Sequence, residues 1–105
     1  DKIVWMDDRN SNWDIYLYDL STGTETQITS DTGSQIFPTI NGDRIIWTDD
    51  RNGNVDVYMY DLSTSTEHQV TTLETDQVSP DIYDNKIIWS ELRNGQRDVF
   101  MATIV

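Results

Sequence analysis

The chain repeats itself at a fixed interval of 42 residues. Trp5, Trp47 and Trp89 stand 42 positions apart, and placing residues 1–42 over residues 43–84 without a gap gives 22 identities in 42 positions. Because no gap is needed, each unit has the same loop lengths, and the 105 residues hold 105/42 = 2.5 units. A fixed period of this length is typical of solenoid and propeller architectures. The repeat therefore constrains the fold more than any single motif does.

Within each unit the apolar residues follow a strand period rather than a helical one. The segment DRIIWTDD at 43–50 is a short apolar run, and VDVYMYDL at 55–62 alternates between two faces. Between them, RNGN contains the Asn-Gly pair that favours a tight hairpin. The segments EHQVTT and VSPDIY add a polar third strand and a proline-containing fourth strand.

Four short antiparallel strands in each 42-residue unit predict an all-β fold made of β-propeller blades. The runs IVW and IIW are apolar on both faces, as expected for a sheet packed between two neighbouring sheets. We predict a partial propeller of about 2.5 blades. Its predicted units are a blade at 1–35 lacking its first strand, a complete blade at 36–77, and a C-terminal blade at 78–105 lacking its last strand.

The segment IIWTDDRNGNVDVYMYDL resembles the repeat of TolB-type, WD-like β-propellers, and the match recurs in every unit. The segment DLSTGTETQIT is most similar to the blades of archaeal surface-layer-associated cell-surface proteins. The turn S-P-D-G of that family is replaced here at 39–43 and 81–85, where other turn residues stand. The resemblance implies that segments 36–40 and 78–82 are the innermost strands, lining a central channel.

A chain of 2.5 blades cannot close a propeller, because closed propellers have about 4–8 blades. Either the chain is a fragment of a larger propeller or several copies associate side by side into a ring. The third unit loses its pattern after Phe100, so residues 85–105 are predicted to be the C-terminal end of a propeller.

The charge balance limits the classes of partner. Nineteen acidic residues against seven basic ones give a net charge of −12, which repels phosphate backbones and anionic membrane surfaces. The sequence has no cysteine and no apolar run long enough to span a bilayer. We therefore expect no nucleic-acid partner and no membrane insertion, and instead protein partners or other copies of the chain.

The motif D-x-N-x-N-x-D raises the possibility of a calcium loop. It is intact twice, and it decays to Leu92, Asn94, Gln96 and Asp98 in the third unit. An EF-hand loop needs glycine at its sixth position, where Trp13 or Val55 stands here. We interpret the motif as a hairpin turn, with a weak surface Ca²⁺ site as the alternative. The intact copies are Asp8, Asn10, Asn12 and Asp14, and Asp50, Asn52, Asn54 and Asp56.

The repeated arginines either recognise anions or form an ion pair in every unit, and the second interpretation is favoured because repeats recur for structural reasons. The arginines are Arg9, Arg51 and Arg93, with Asp14, Asp56 and Asp98 as their expected partners.

The aromatic residues and the single histidine complete the candidates. Trp5, Trp47 and Trp89 are predicted to lie in the core between blades rather than on a sugar-stacking surface. Trp13 is not repeated and is the better candidate for an exposed contact, and His68 is predicted to lie on the surface.

No serine triad, phosphate loop or HExxH motif is present. The sequence predicts no enzyme, no cofactor, and no catalytic, cofactor-binding or metal-ligating residue. The predicted function is a non-enzymatic propeller segment of a cell-surface or envelope protein, serving protein interaction or scaffolding. The alternatives are an accessory propeller of a larger, oligopeptidase-like hydrolase and a lectin-like glycan binder.

Overall fold

The computed structural model describes residues 1–72 and 74–104. Leu73, in the predicted loop before the second proline-containing strand, and Val105, the last residue of the predicted third unit, lie outside the described residues. All regular structure in the described part of the chain is β-strand, arranged in three antiparallel sheets. No helix among these residues is long and apolar enough to cross a membrane. The all-β prediction is confirmed.

The first sheet has three strands in chain order. They are β1 (Lys2–Asp7), β2 (Asp14–Asp19) and β3 (Thr24–Gln27). All four residues of β3 are exposed, which agrees with the polar third strand expected from the sequence.

The middle sheet has four strands, again in chain order. They are β4 (Gln35–Asn41), β5 (Arg44–Asp49), β6 (Asp56–Asp61) and β7 (Thr66–Gln69). Their registers repeat those of the first sheet at the 42-residue shift: Trp47 pairs with Tyr58 as Trp5 pairs with Tyr16.

The third sheet has three strands, in the order β10-β9-β8. They are β8 (Gln77–Tyr83), β9 (Lys86–Arg93) and β10 (Gln96–Thr103). One four-stranded sheet between two three-stranded sheets makes a partial propeller of about 2.5 blades. The unit boundaries 1–35, 36–77 and 78–105 stay a prediction.

The prolines shape the first strand of the middle and third sheets. The register of β4 shifts between Ile36 and Thr39, and that of β8 shifts between Val78 and Asp81. Proline has no N–H to donate to the ladder and therefore occurs at bulges. In each bulge the residue before proline takes a left-handed backbone, with φ of 56° at Phe37 and 54° at Ser79.

Two apolar clusters hold the three sheets together. In the first, Ile15 and Leu17 of the first sheet meet Ile45, Trp47 and Tyr58 of the middle sheet. All five side chains are at most 5% exposed. Burial of apolar surface at this interface is the main favourable contribution to stacking one sheet on the next.

The second cluster joins the middle sheet to the third through Ile46, Val57 and Met59 on one side and Ile82 and Ile87 on the other. Ile45, Ile46 and Trp47 are all fully buried, although neighbouring residues point to opposite faces of a strand. The prediction that the IIW run is covered on both faces is therefore confirmed.

The linker between β3 and β4 passes close to the hairpin of the middle sheet. Ser34 N donates to Asp50 Oδ1 at 2.7 Å, so the carboxylate is held in place beside the linker. A Cβ at Gly33 would lie 2.8 Å from Asp50 Oδ1 and 3.1 Å from the Arg51 Cα. Only glycine fits between this linker and the hairpin without a shift.

We expect Gly33→Ala to lower the free energy of unfolding by about 2 kcal/mol, because the added methyl group overpacks a contact between backbones. Urea unfolding followed by tryptophan fluorescence measures the loss. Ser34→Ala is the matched control, since it changes the adjacent side chain and keeps the backbone bond to Asp50. Equal stability of Gly33→Ala and the wild-type chain would contradict the close approach.

Candidate functional site

The D-x-N-x-N-x-D segments form the loops that connect the second and third strands of each blade pattern. Each begins with a β-turn, in which Ser11 N donates to Asp8 O at 3.0 Å and Gly53 N donates to Asp50 O at 3.1 Å. Ser11 and Gly53 have φ of 77° and 93°. The hairpin interpretation of the motif is confirmed.

The amide side chains of the loops hold the hairpins to their surroundings. Asn10 Nδ2 donates to the Tyr16 hydroxyl at 2.9 Å. Asn12 Nδ2 donates to the carbonyl oxygens of Asp31 and Gly33, at 2.9 and 3.1 Å, in the linker to the next sheet. Residues 1–72 and 74–104 contain no group of three or more His, Cys, Asp or Glu side chains placed to hold a metal ion. The loop side chains thus fasten one blade to the next.

The third hairpin has a different shape. Its strands stay paired up to Gln96 and Arg93, so the turn contains only Asn94 and Gly95. Both have positive φ, 51° and 75°, which is the geometry that an Asn-Gly pair favours in a two-residue hairpin. Gln96 replaces the asparagine of the other loops, and it donates to Asp98 within its own strand.

Next to each loop lies a cluster centred on the repeated arginine. In the middle sheet, Arg51 donates to both carboxylate oxygens of Asp49, at 3.0 Å from Nε and 2.7 Å from Nη2. Its Nη1 donates to Glu67 at 2.8 Å, and Asp31 of the preceding linker lies 3.8 Å from Nε. Burial acts to lower the Arg51 pKa, but the bonds to Asp49 and Glu67 outweigh it and raise the pKa above its ordinary value.

Aromatic rings complete the middle cluster. The Arg51 guanidinium lies 4.2 Å from the centre of the Tyr58 ring, a cation–π contact. Tyr58 stacks on Trp47 with 6.3 Å between ring centres, and Trp47 Nε1 donates to Asp49 Oδ2 at 3.0 Å. The buried Asp49 carboxylate therefore receives bonds from both the arginine and the indole.

The same cluster recurs in the other two sheets. Arg9 bonds Asp7 and Glu25 and lies over Tyr16, and Arg93 bonds Glu91 and lies over Phe100. The middle copy is the most enclosed: the Arg51 side chain is 18% exposed, against 46% for Arg9 and 42% for Arg93. A repeating ion pair is confirmed.

The expected partners of the arginines were wrong. The carboxylates that pair with the arginines are Asp7, Asp49 and Glu91, two residues earlier, rather than Asp14, Asp56 and Asp98. A carboxylate two residues away reaches both the backbone N–H and the guanidinium of the arginine, as Asp49 does for Arg51. The 42-residue shift relates these acids too, so the repeat contained the signal.

Asp14 and Asp56 serve a separate buried network. Asp56 Oδ1 accepts a bond from Thr71 Oγ1 at 3.2 Å, and the Thr71 oxygen in turn accepts a bond from Val57 N at 3.0 Å. Asp14 and Thr29 repeat the arrangement in the first sheet. Burial raises the pKa of Asp14 and Asp56 above the ordinary value of an aspartate.

The tryptophans and the histidine lie where the sequence predicted them to be. Trp47 is fully buried in the core between the first and middle sheets, and Trp89 packs against the cluster between the middle and third sheets. Trp13 is 37% exposed. His68 lies on the exposed strand β7, with Thr66 Oγ1 3.0 Å from its Nε2.

The two outer sheets each leave an apolar face uncovered. The leading face, on the first sheet, consists of Ile3, Trp5, Tyr16 and Tyr18. Each of these residues stands 42 positions before a residue of the middle sheet that packs on the first sheet: Ile45, Trp47, Tyr58 and Tyr60. On the leading face Ile3 is 51% exposed, whereas Ile45 is fully buried.

The trailing face, on the third sheet, consists of Tyr83, Ile88, Val99 and Met101. Their exposed fractions are 78%, 43%, 73% and 59%. The last three stand 42 positions after Ile46, Val57 and Met59, the residues of the middle sheet that pack on the third sheet. The same side chains that are buried between two sheets in the middle of the chain are therefore open at its two ends.

Comparisons with known proteins agree with this architecture. No protein-family model and no curated protein matches the sequence. Among solved structures, the chain is similar to a putative TolB from Agrobacterium tumefaciens, with a TM-score of 0.79 and 17% identity over 97% of this chain and 41% of that one. TolB from Acinetobacter baumannii gives a TM-score of 0.68 and 29% identity over 97% of this chain and 27% of that one.

The tricorn protease is a third structural relative, with a TM-score of 0.62 and 19% identity over 85% of this chain and 8% of that chain. The chain spans less than half the length of each of these structures. The fold defines the chain as a β-propeller segment. Its structural neighbours are TolB-type propeller proteins, as the sequence resemblance implied.

We expect Arg51→Ala to lower the free energy of unfolding by about 3 kcal/mol, because it leaves the Asp49 carboxylate buried without its cation. Arg9→Ala removes the same contacts from an exposed site, so its expected loss is at most about 1 kcal/mol. Urea unfolding of the two variants in parallel gives the comparison. Equal losses would mean that burial between the sheets does not control the strength of the cluster.

The pH dependence of stability tests the third cluster. Burial acts to raise the pKa of Glu91, but bonds from Arg93, Trp89 and Thr75 outweigh it, and the pKa falls below its ordinary value of 4.5. The folded chain then binds fewer protons than the unfolded chain. The stabilisation is present above the ordinary value and is lost as the pH falls through the lowered pKa.

We therefore expect Glu91→Gln to cost about 2 kcal/mol at neutral pH, the value of a hydrogen bond to a charged group, and less at about pH 3. Urea unfolding at both pH values measures the two differences. Asp98→Asn, an exposed change on the same hairpin, is the control and should cost little at either pH. A cost of Glu91→Gln that does not depend on pH would contradict the charged network.

Proposed function

We propose that the chain is a non-enzymatic β-propeller segment of a cell-surface or envelope protein that serves protein–protein interaction or scaffolding. The observation that carries this proposal is the pair of open apolar faces. Large apolar side chains such as Val99 and Met101 are 73% and 59% exposed on a flat sheet. Extended exposed apolar patches on soluble proteins mark surfaces that other proteins cover.

The polar side chains support a structural role for the repeated motifs. The guanidinium of Arg51 is occupied by Asp49 and Glu67, and the amide of Asn12 is occupied by the linker. The fully buried Trp47 offers no stacking platform to a sugar, so the tryptophan stripe does not favour a lectin. The likeness to the tricorn protease concerns the fold alone and does not favour a hydrolase.

The proposed location on a cell surface or in an envelope rests on two points. The segment DLSTGTETQIT resembles the blades of archaeal surface-layer-associated proteins, and the net charge of −12 suits an acidic exposed surface. Partners that bind the open faces are proposed to be proteins, because the faces are flat and apolar and the surrounding charge repels nucleic acid.

Cross-linking in the cells that make the chain tests this proposal. Lys2 lies in β1 and Lys86 lies in β9, so amine-reactive cross-linkers sample the edges of both end sheets. We expect cross-linked peptides from protein partners at these lysines. The double variant Ile3→Glu, Val99→Glu should lose them, because it places a charge on each apolar face, while Phe37→Glu, in the middle sheet, should keep them. Identical cross-links from all three chains would contradict a binding role of the faces.

A further inference from the structure

We propose that two copies of this chain close head to tail into a ring of six sheets, with the leading face of each copy covered by the trailing face of the other. This inference rests on the proposed interaction function and names its partner. The argument begins with the two interfaces that the chain already contains, because they show what each open face packs against.

The internal interfaces are templates for the missing one. Between the first and middle sheets, Ile15 and Leu17 pack against Ile45, Trp47 and Tyr58. A shift of 42 residues converts the first two into Val99 and Met101 of the trailing face. The reverse shift converts the other three into Ile3, Trp5 and Tyr16 of the leading face. A second copy thus presents to each open face nearly the side chains that cover the equivalent buried face.

The three substituted positions preserve the chemistry of the contact. Ile15, Val57 and Val99 are all β-branched, and Leu17, Met59 and Met101 are all unbranched at Cβ and of similar volume. Val57 and Met59 already pack in this chain against Ile87 of the third sheet, so the substituted set forms a closed interface within the described residues.

The charges at the two faces also complement each other. Arg97 Nη1 donates to Ser90 Oγ on the trailing face, and Lys86 lies beside Ile88 there. Neither of these cations pairs with a carboxylate in the part of the chain that the structure describes. On the leading face, Arg9 is shared by Asp7 and Glu25, which leaves that cluster with one excess negative charge.

The number of sheets selects two copies. Each chain contributes three sheets, and propellers close with about 4–8 blades. Two copies give six sheets, which lies in that range, whereas one copy gives three and three copies give nine. A head-to-tail contact uses different surfaces of the two partners, so it forms either a closed ring or an open filament. Closure with two copies covers both faces of both chains.

Sedimentation velocity of the purified chain at micromolar concentration tests the ring. We expect a species of twice the 12.2 kDa of one chain. Ile3→Glu and Val99→Glu each place a charge in the contact, and each should raise the dimer dissociation constant by at least about 30-fold. Both positions are more than half exposed in the single chain, so both variants should fold. Phe37→Glu, exposed in the middle sheet, carries the same added charge and should remain a dimer.

A mixture of Ile3→Glu and Val99→Glu distinguishes head-to-tail association from a symmetric contact. Each variant keeps the face that the other lacks, so the mixture should form a mixed dimer more tightly than either variant self-associates. If Val99→Glu dissociates the dimer and Ile3→Glu does not, the contact is trailing face on trailing face and the ring is overturned. Assemblies that grow with concentration overturn closure.

A wild-type chain that stays monomeric overturns the inference and leaves the proposed function standing, because another protein or further blades can cover the faces. The cross-linking experiment decides that question separately. Cross-links to other proteins with a monomeric purified chain would refute the ring alone. Cross-links that ignore the double variant would refute the binding role itself.

Discussion

The face-to-face packing of one sheet on the next is the interaction on which the rest of the structure depends. A sheet of three or four short strands cannot bury its apolar side chains alone. In β5, Ile45 and Trp47 point towards the first sheet and Ile46 points towards the third, and all three are fully buried. The central blade is therefore stabilised from both sides, and the outer blades are each stabilised from one side only.

The arginine clusters form a second layer around this packing. A buried carboxylate such as Asp49 is costly unless it is paired and hydrogen-bonded. Arg51 and the Trp47 indole satisfy it, and the Tyr58 ring covers the guanidinium. The cluster thus binds the hairpin to the sheet and meets the linker from the preceding blade through Asp31. Its function is to fix the geometry between blades, which explains why it recurs in every unit.

Most of the fold could be predicted because a repeat multiplies each local signal. The period of 42 residues, the two-residue alternation and the Asn-Gly turn together specified the strands, their order and the burial of Trp47. The ion pair was predicted as well, but Asp14 was assigned in place of Asp7. Sequence spacing alone does not show which of two acids faces an arginine, since that depends on the cross-strand register and on the network that engages Asp14 with Thr29.

The sequence by itself determined the blade and its repetition, because strand periodicity and turn chemistry are local properties of neighbouring residues. Only the tertiary structure decided which apolar residues are covered. Val57 and Val99 occupy the same position in their units, yet Val57 is fully buried and Val99 is 73% exposed. Burial depends on whether another sheet lies against the face, and that is a property of the arrangement of the sheets rather than of any one strand.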